Sequence, residues 1–327
     1  MLIHNVAGLL VGLHFGWVNV KYFVIDIYLY FCFLFLCNML NSVDLKKAMP
    51  TIMKSWAFAG MVNIFACVLA LLSGKKTFLG IEVIRFGIRF TGFFKDPNVF
   101  GPFLIVPLLF FLESYLNKSK KLNLYVSIFL LFGVIVSFSR AAWLNVFFGV
   151  SLILKDYFFS SFANFAKKFM PIVLIIALIF IFLLASDVTI LNYNIKDVFI
   201  SRLGLQSYDK DRFGAQEAAI DMLKINLVVF FLGIGPGNYE KVTNNYSAHS
   251  LFMRTLGERG VAGSLLLILI IIVSLYILFK KSKDFKFLFA SMVGLIINSF
   301  FIDTWHWRSF WILLAIILSL NTAEKSD

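Results

Sequence analysis

The eight arginines of this 327-residue chain are the side chains whose type and placement most clearly suggest a ligand. In the membrane topology developed below, every arginine falls on one side, and the loops of the opposite side carry lysine alone. A guanidinium group is planar, always charged and able to bind two phosphate oxygens at once, whereas an ammonium group is a point charge. The pattern predicts an anionic ligand on the side that carries Arg85, Arg89, Arg140, Arg202, Arg212, Arg254, Arg259 and Arg308.

His249 is the histidine best placed to accept a proton. It stands near the start of residues 248–260, which we expect to form a helix that leads into a membrane span. The dipole at a helix N-terminus disfavours the imidazolium form and helps to keep the ring neutral. A neutral imidazole at the boundary between membrane and water can act as a general base. Arg254 and Glu258 lie four residues apart on the same helix, so a simple ion pair between them is as well supported as a functional role for Arg254.

The elements that position these side chains must belong to a membrane protein. Hydrophobic residues make up 60% of the chain, aromatic residues 17% and charged residues 15%, and the mean hydropathy is +0.88. Polar surface is too scarce for a soluble domain of this length, which excludes a cytosolic enzyme, a disordered tail and a secreted disulfide scaffold. The three cysteines lie in apolar runs and have neither metal-ligand nor disulfide spacing.

Apolar runs of about 20 residues, the length that crosses a bilayer, recur along the chain. They predict an all-α bundle of about ten transmembrane helices. The runs are 2–19, 22–40, 56–73, 98–116, 122–138, 141–154, 170–186, 261–279, 287–303 and 308–320.

Lysine-bearing loops set the predicted orientation. They alternate along the chain, and the positive-inside rule places them and both termini in the cytoplasm; they carry Lys46, Lys47, Lys54, Lys118, Lys120, Lys121, Lys155, Lys167, Lys168, Lys280, Lys281, Lys283 and Lys286. The chain then divides into an N-terminal bundle (1–186), a large extracytoplasmic loop with a catalytic cap (187–260), and C-terminal spans with a short cytoplasmic tail (261–327). On the outer side, the turn 305–308 is expected to be an aromatic anchor at the membrane interface.

The large loop is predicted to be a folded cap, because its eight acidic and eight basic residues cancel. Residues 211–224 have the apolar spacing of an amphipathic helix. Residues 225–234 are apolar but too short to span, so we expect them to enter the interface or to pack on the bundle. The glycine-rich segment 233–238 predicts a turn, with a phosphate-binding loop as the less favoured alternative.

Five motifs, in this order, resemble the O-antigen ligase and polymerase superfamily, whose members move sugars off a polyprenyl-diphosphate lipid at the outer face of the plasma membrane. They are Gly-Phe-Phe-Lys-Asp-Pro-Asn at 92–98, Ser-Phe-Ser-Arg-Ala-Ala-Trp at 137–143, Asp-Arg at 211–212, Leu-Gly-Ile-Gly-Pro-Gly-Asn at 232–238, and 248–263 with His249 and Glu258-Arg259-Gly260. The resemblance implies a glycosyltransferase-C-type bundle with a large external loop in a bacterial plasma (inner) membrane. It also implies metal-independent glycosyl transfer without a cofactor.

The resemblance also assigns roles to residues. Arg140 and Arg212 match the family's arginine positions and would clamp the diphosphate of an undecaprenyl-diphosphate-linked oligosaccharide. His249 would take the proton from a hydroxyl of the acceptor glycan in a direct, inverting displacement. Arg85, Arg89 and Arg254 are further substrate-binding candidates. Two positions depart from the family pattern, because Ser250 stands where Asn is common and Gln216 where Trp is common.

Several functions remain open from the sequence. Within the family, a polymerase of lipopolysaccharide or capsule repeat units is favoured over an O-antigen ligase acting on a lipid core and over a protein-glycosylating enzyme. Its partners would be the lipid-linked donor, the acceptor glycan, the lipid bilayer and other polysaccharide assembly proteins, but not nucleic acid. A transporter of lipid-linked sugars or other anions requires ionisable residues within the spans, for which Asp26 is the main candidate although it lies toward a span end. A membrane scaffold or sensor with an external binding loop has no separate support.

Overall fold

The computed structural model of the protein describes residues 2–16, 19–160, 188–204, 207–243, 247–282 and 284–321. The predicted span at 170–186 lies outside the described residues. The chain forms two compact units. The first unit comprises Met1–Pro50, Ser207–Phe285 and Ile296–Asp327, and the second comprises Thr51–Gln206 and Lys286–Leu295.

Helices account for most of the described chain. Their bounds are α1 Leu2–His14, α2 Val20–Asn41, α3 Leu45–Leu72, α4 Pro97–Lys118, α5 Lys121–Val136, α6 Arg140–Ser160, α7 Ile195–Leu203, α8 Ser207–Leu223, α9 Leu227–Leu232, α10 Tyr239–Val242, α11 Leu251–Lys280, α12 Lys286–Ser299 and α13 Arg308–Ser319. Five of them, α2, α3, α4, α6 and α11, are long and apolar enough to cross a membrane. The chain is therefore a helical, multi-pass membrane protein.

The expected number of crossings is not reached by these helices. Four more apolar helices (α1, α5, α12 and α13) occur at predicted spans, but each has fewer than the ~17 residues that a crossing needs. Two predicted spans prove longer than expected. α6 has 21 residues, and α3 has 28 because it already begins at Leu45. Lys46, Lys47 and Lys54 thus lie on a helix and not in a loop.

In the first unit, α2 packs against α13, and α11 packs against α8 and α9. The start of α11 packs against an apolar cluster of buried residues: Val11, Ala219, Met222, Val229, Ile234, Tyr239 and Ala248. The short helix α9 contacts α1, α8 and α11. The apolar run at 225–234 therefore packs on neighbouring helices, one of the two arrangements expected for it.

In the second unit, α4 packs closely against α5 and α6. Glycines permit this approach: a Cβ on Gly101 would lie 2.7 Å from Ser137 Oγ, and one on Gly133 would lie 2.6 Å from Leu104 Cδ1. Close approach through small residues is typical of membrane helices, where packing drives association.

Three small antiparallel hairpins complete the second unit. They pair β1 (Thr77–Phe78) with β2 (Ile81–Glu82), β3 (Ile84–Arg85) with β4 (Arg89–Phe90), and β5 (Thr189–Ile190) with β6 (Tyr193–Asn194). The sequence did not predict them, because strands of two residues are too short to show an alternating pattern.

Candidate active site

The segment that carries His249 is shaped by a kink in α11. Gly260 has φ 60° and ψ −166°, so it interrupts helical geometry inside the helix. The glycine-rich turn packs directly against this kink, where a Cβ on Gly233 would lie 2.2 Å from the Glu258 carbonyl carbon. The amides of Ile234 and Gly235 donate to the carbonyls of Gly257 and Glu258, each at 3.0 Å. These two amides are therefore engaged in backbone hydrogen bonds and are not available to a phosphate. This favours the interpretation as a turn over that as a phosphate-binding loop.

His249 lies just outside α11, next to the N-cap residue Ser250, whereas the predicted helix began at residue 248 and included it. It is half-buried and has a positive φ of 44°, a conformation that a non-glycine residue adopts only under local constraint. The next residue, Ser250, caps the helix: its Oγ accepts from the amide of Met253 at 3.4 Å. Because Ser and Asn are both good N-caps, Ser250 can replace the family's asparagine without loss of this role.

Arg212 lies on α8 in the same unit as His249. α8 begins at Ser207, four residues before the predicted start. The Arg212 guanidinium is partly exposed and lies 3.9 Å from a carboxylate oxygen of Asp209, one turn earlier on the helix.

Arg140 is the first residue of α6, after a tight turn in the second unit. In that turn, Phe138 has a positive φ of 49° and packs against Phe199, with ring centroids 4.8 Å apart. The amide of Ala142 donates to Ser139 Oγ at 3.4 Å. Arg140 Nη1 donates to the carbonyl of Gly204 at 3.1 Å, which ties the start of α6 to the end of α7.

Arg85 and Arg89 face each other across β3 and β4 as backbone partners. Arg89 is only 7% exposed, and its Nε donates to the carbonyl of Ser137 at 3.0 Å. Arg85 is partly exposed and pairs with Glu82 at 3.4 Å. The second unit therefore brings the Arg85–Arg89 hairpin to the turn that precedes Arg140.

The site candidates thus fall into two groups. Arg212, Arg254 and His249 belong to the first unit, whereas Arg85, Arg89 and Arg140 belong to the second. That the arginines of both groups share one pocket with His249 stays a prediction.

A cluster of buried charges in the first unit was not predicted. Asp26 on α2 is 0% exposed and Arg259 on α11 is 1% exposed, and Arg259 Nη2 lies 2.6 Å from Asp26 Oδ2. Asn5 Nδ2 donates to the same oxygen at 2.7 Å. Trp305 Nε1 donates to Asp26 Oδ1 at 2.9 Å, and its ring lies 4.4 Å from the Arg259 guanidinium carbon.

The cluster continues to Arg254, whose guanidinium meets three carboxylates. Nη1 lies 3.2 Å from Asp303 Oδ2 and Nε lies 3.6 Å from Glu258 Oε1, while Nη2 contacts Glu240. The ion pair that the sequence left open between Arg254 and Glu258 is therefore present, within a larger set of contacts.

Between Asp26 and Asp303 lies His306, in the connection that joins α12 to α13. Its Nδ1 is 3.3 Å from Asp303 Oδ2 and its Nε2 is 3.5 Å from Asp26 Oδ1. Burial lowers the pKa of His306, but contacts with the two carboxylates outweigh that effect and raise the pKa to about 9. Burial raises the pKa of Asp303, but His306 and Arg254 outweigh it and lower the pKa to about 2.

These contacts correct two expectations and add to a third. The turn 305–308 is not an interfacial anchor, because Trp305 is almost fully buried against Asp26. Asp26 lies toward a span end, as expected, in the second turn of α2, but it is fully enclosed by protein. Arg89, Arg254 and Arg259 do not decorate an outer surface, because all three are buried. The sequence signal for this cluster is a single acidic residue inside an apolar run. Such a residue indicates that a buried partner exists but does not identify that partner.

The apolar helices of the two units define a multi-pass helical membrane protein. Residues 125–268 match the family model described as O-antigen ligase, so the resemblance to the O-antigen ligase and polymerase superfamily is confirmed. This family indicates a membrane glycosyltransferase of the ligase or polymerase type that acts on lipid-linked glycans. No curated protein matches the chain, and no solved structure matches it.

Proposed function

We propose that the protein polymerises oligosaccharide repeat units, or transfers them to an acceptor, from undecaprenyl-diphosphate-linked donors at the outer face of the bacterial inner membrane. The observation that carries this proposal is the family match over residues 125–268, which contains Arg140, Arg212 and His249. Polymerisation for a surface polysaccharide is the favoured form of the reaction.

The arginines would act on the leaving group. When the bond between the sugar and the diphosphate breaks, negative charge develops on the leaving oxygen. Arg140 and Arg212 would neutralise it, and their contribution would grow in the transition state, where that charge is largest. Both guanidinium groups are partly exposed and lie at the start of a helix or on its surface, where a ligand can reach them.

His249 would accept the proton of the attacking hydroxyl. The acceptor oxygen forms a bond to the anomeric carbon while the bond to the diphosphate oxygen breaks, so the configuration inverts. The ring lies directly before the capped N-terminus of α11, whose dipole favours the neutral form that can take a proton. The product polyprenyl diphosphate leaves with the electron pair of the broken bond.

The further arginine candidates differ in their surroundings. Arg85 is partly exposed, and Arg89 supports the turn before Arg140, so this hairpin would orient the diphosphate or its first sugar. Arg254 is held by three carboxylates, and we propose that it mainly fixes the start of α11. Any contact of Arg254 with substrate would be secondary to that role.

Replacing His249 tests the base. His249→Ala should lower elongation of lipid-linked glycan by 10²-fold or more, in the range that general bases contribute (~10²–10⁴-fold). The readout is the length distribution of lipid-linked glycans in cells and the transfer rate of purified protein, with membrane levels of the variant matched to wild type. His14→Ala, at an exposed histidine of α1, is the control. Unchanged elongation in His249→Ala would reject His249 as the base.

Conservative substitutions test the arginines. Arg140→Lys and Arg212→Lys keep the charge but remove the planar fork, so each should slow transfer by about 10-fold or more if the diphosphate is bound bidentately. Arg308→Lys, at the exposed start of α13, is the matched control. Full activity in both variants would exclude bidentate recognition while leaving the role of His249 to its own test.

The remaining alternatives differ in acceptor and in compartment. Purified protein in detergent that joins two lipid-linked repeat units is a polymerase, and one that requires lipid-A core as acceptor is an O-antigen ligase. A transporter would show no glycosyl transfer at all, whereas a transferase needs no second compartment and would be active in detergent. The buried Asp26 does not favour a transport path, because it is engaged by Arg259, Asn5 and Trp305.

A further inference from the structure

The side chains of the buried cluster form one continuous series of opposite charges. It runs from Arg259 to Asp26, then to His306, Asp303 and Arg254, with successive contacts of 2.6, 3.5, 3.3 and 3.2 Å. His306 is the central member. Each of its ring nitrogens faces a carboxylate oxygen, and only the doubly protonated imidazolium presents a donor on both nitrogens.

We infer that the His306 imidazolium is a positioning residue for the proposed glycosyl transfer: it holds Asp26 and Asp303 in place, and through them Arg259 and Arg254, so that the first half of α11 presents His249 correctly. This inference rests on the proposed function, because the residue that it positions is the proposed base. His306 itself need not touch the substrate.

The geometry explains how the effect reaches His249. Arg254 and Arg259 both lie on residues 251–259, the short helical segment between His249 and the kink at Gly260. One side of this segment is fixed by the apolar cluster that includes Ala248 and Tyr239. The other side is fixed by the carboxylates of Asp303 and Asp26. Without the imidazolium, Asp26 would keep Arg259, Asn5 and Trp305, and Asp303 would keep Arg254 and the amide of Trp305, but no single ring would set the spacing of the two carboxylates.

Every element packed against His306 contributes to its environment. From α2 come the Asp26 carboxylate and the Tyr22 ring, whose centroid is 5.2 Å from the imidazole centroid. From its own connection comes Asp303. From α11 come Arg254 and Arg259, each bound to one of the two carboxylates. The pKa of about 9 agrees with a ring that stays protonated at neutral pH.

Kinetics of the purified full-length protein provide the first test. His306→Gln should lower kcat by about 10-fold or more, a loss typical of misplaced catalytic groups, and leave the KM for the lipid-linked donor nearly unchanged. Wild-type activity should fall as the pH rises through about 9. His306→Lys keeps a positive charge above that pH, so it should recover part of kcat and shift the alkaline decline upward. His14→Gln is the control, since it replaces an exposed histidine of α1.

A second measurement does not depend on turnover. In nitrogen-15 histidine spectra at pH 7.5, the resonance assigned through His306→Gln should be that of an imidazolium. The His249 resonance should shift in His306→Gln and stay unchanged in His14→Gln. A protein with no transferase activity would refute the proposed function, yet these spectra would still decide the positioning role.

Three results would overturn the inference. They are a neutral His306 at pH 7.5, a His249 resonance that is unaffected by His306→Gln, and an active His306→Gln variant with unchanged kcat and an unchanged alkaline decline. If His306→Gln does not fold, His306→Lys is used for the same spectra and rates. An upward shift of the alkaline decline in that variant supports the inference, and an unshifted decline overturns it.

Discussion

The two halves of α11, on either side of Gly260, differ in composition and in burial. Before the kink, residues 251–259 bury Arg254, Glu258 and Arg259 inside the protein. After it, residues 261–280 are almost wholly apolar, and large side chains such as Leu265, Ile272 and Phe279 are exposed on the protein surface. The helix is long enough as a whole to cross a membrane, but only its second half has a surface suited to lipid.

The contrast shows where a membrane protein can place charge. In the first half, each guanidinium meets carboxylates supplied by α2, by α10 or by the connection between α12 and α13, so burial does not leave it uncompensated. The second half needs no such partners, because its side chains are almost wholly uncharged. The kink at Gly260 allows one helix to serve both purposes: it spans the membrane and delivers a fixed segment to the candidate active site.

Gly260→Val should have the largest effect on stability, because it disrupts the kink that joins the two halves of α11. A Cβ at this position would lie 2.6 Å from the amide nitrogen of Gly233, and valine does not tolerate a φ of +60°. Strain and backbone clash together should cost more than about 4 kcal/mol, enough to unfold a marginally stable protein. The readout is the yield of monodisperse protein in size-exclusion chromatography.

The control for that substitution is a glycine without these constraints. Gly214 lies on α8, and a Cβ added there would meet no atom within 4 Å. Gly214→Ala should therefore be neutral or stabilising by up to about 1 kcal/mol, as expected for alanine in a helix. A normal yield of folded Gly260→Val would show that the kink is dispensable.

Arg259→Met should have the next largest effect. It leaves the Asp26 carboxylate buried without its guanidinium partner, which should lower the free energy of unfolding by about 3–5 kcal/mol. Thermal denaturation in detergent measures the loss. Adding Asp26→Asn should restore part of it, because the double variant has no uncompensated charge at this position.

An exposed ion pair provides the comparison for the Arg259→Met and Asp26→Asn variants. Lys46 and Asp284 lie 2.8 Å apart with both side chains largely in solvent. Exposed pairs contribute about 0–1 kcal/mol, so Asp284→Asn should barely change the melting temperature. Equal losses in Arg259→Met and Asp284→Asn would contradict a special role of burial in the first half of α11.

Acid pH should weaken the same cluster by a smaller amount. The pKa of Asp303 falls from its ordinary 3.8 to about 2, so its stabilisation is complete above about pH 4 and is lost as the pH falls through about 2. A shift of this size corresponds to roughly 2 kcal/mol. The difference in melting temperature between wild type and Asp303→Asn should shrink on lowering the pH from 5 to 2. A difference that stays constant over this range would contradict the low pKa.

The start of α11 and the glycine turn were predictable because their signals are local. His249 precedes an apolar helix, and the glycines of residues 233–238 favour a turn wherever they occur. The five helices long enough to cross a membrane coincide with predicted spans for the same reason, since hydropathy is a local sum. α3 begins earlier than its apolar run predicts, because Lys46, Lys47 and Lys54 favour a loop by their charge, although lysines also fit the polar end of a helix.

The charge cluster could not be predicted, because its partners are remote in sequence. Asp26 and Arg259 are separated by 233 residues, and Trp305 follows Asp26 by 279. Asp26, Arg259 and His306 each look isolated in the sequence, and only tertiary packing shows that they neutralise one another. That Arg140, Arg212 and His249 meet in one pocket stays a prediction, because it too depends on contacts between residues remote in sequence.

The smallest effects should come from the lipid-facing side of the second half of α11. Ile272 is 56% exposed in the protein, so Ile272→Ala creates no cavity and should change the free energy of unfolding in detergent by less than about 0.5 kcal/mol. Leu267 lies five residues earlier on the same helix and is 1% exposed, so Leu267→Ala should cost about 2–5 kcal/mol through a buried cavity. Melting temperatures of the two variants, measured side by side in one detergent, give the comparison. Comparable losses would mean that protein, and not lipid, covers Ile272, and the second half of α11 would then resemble the first.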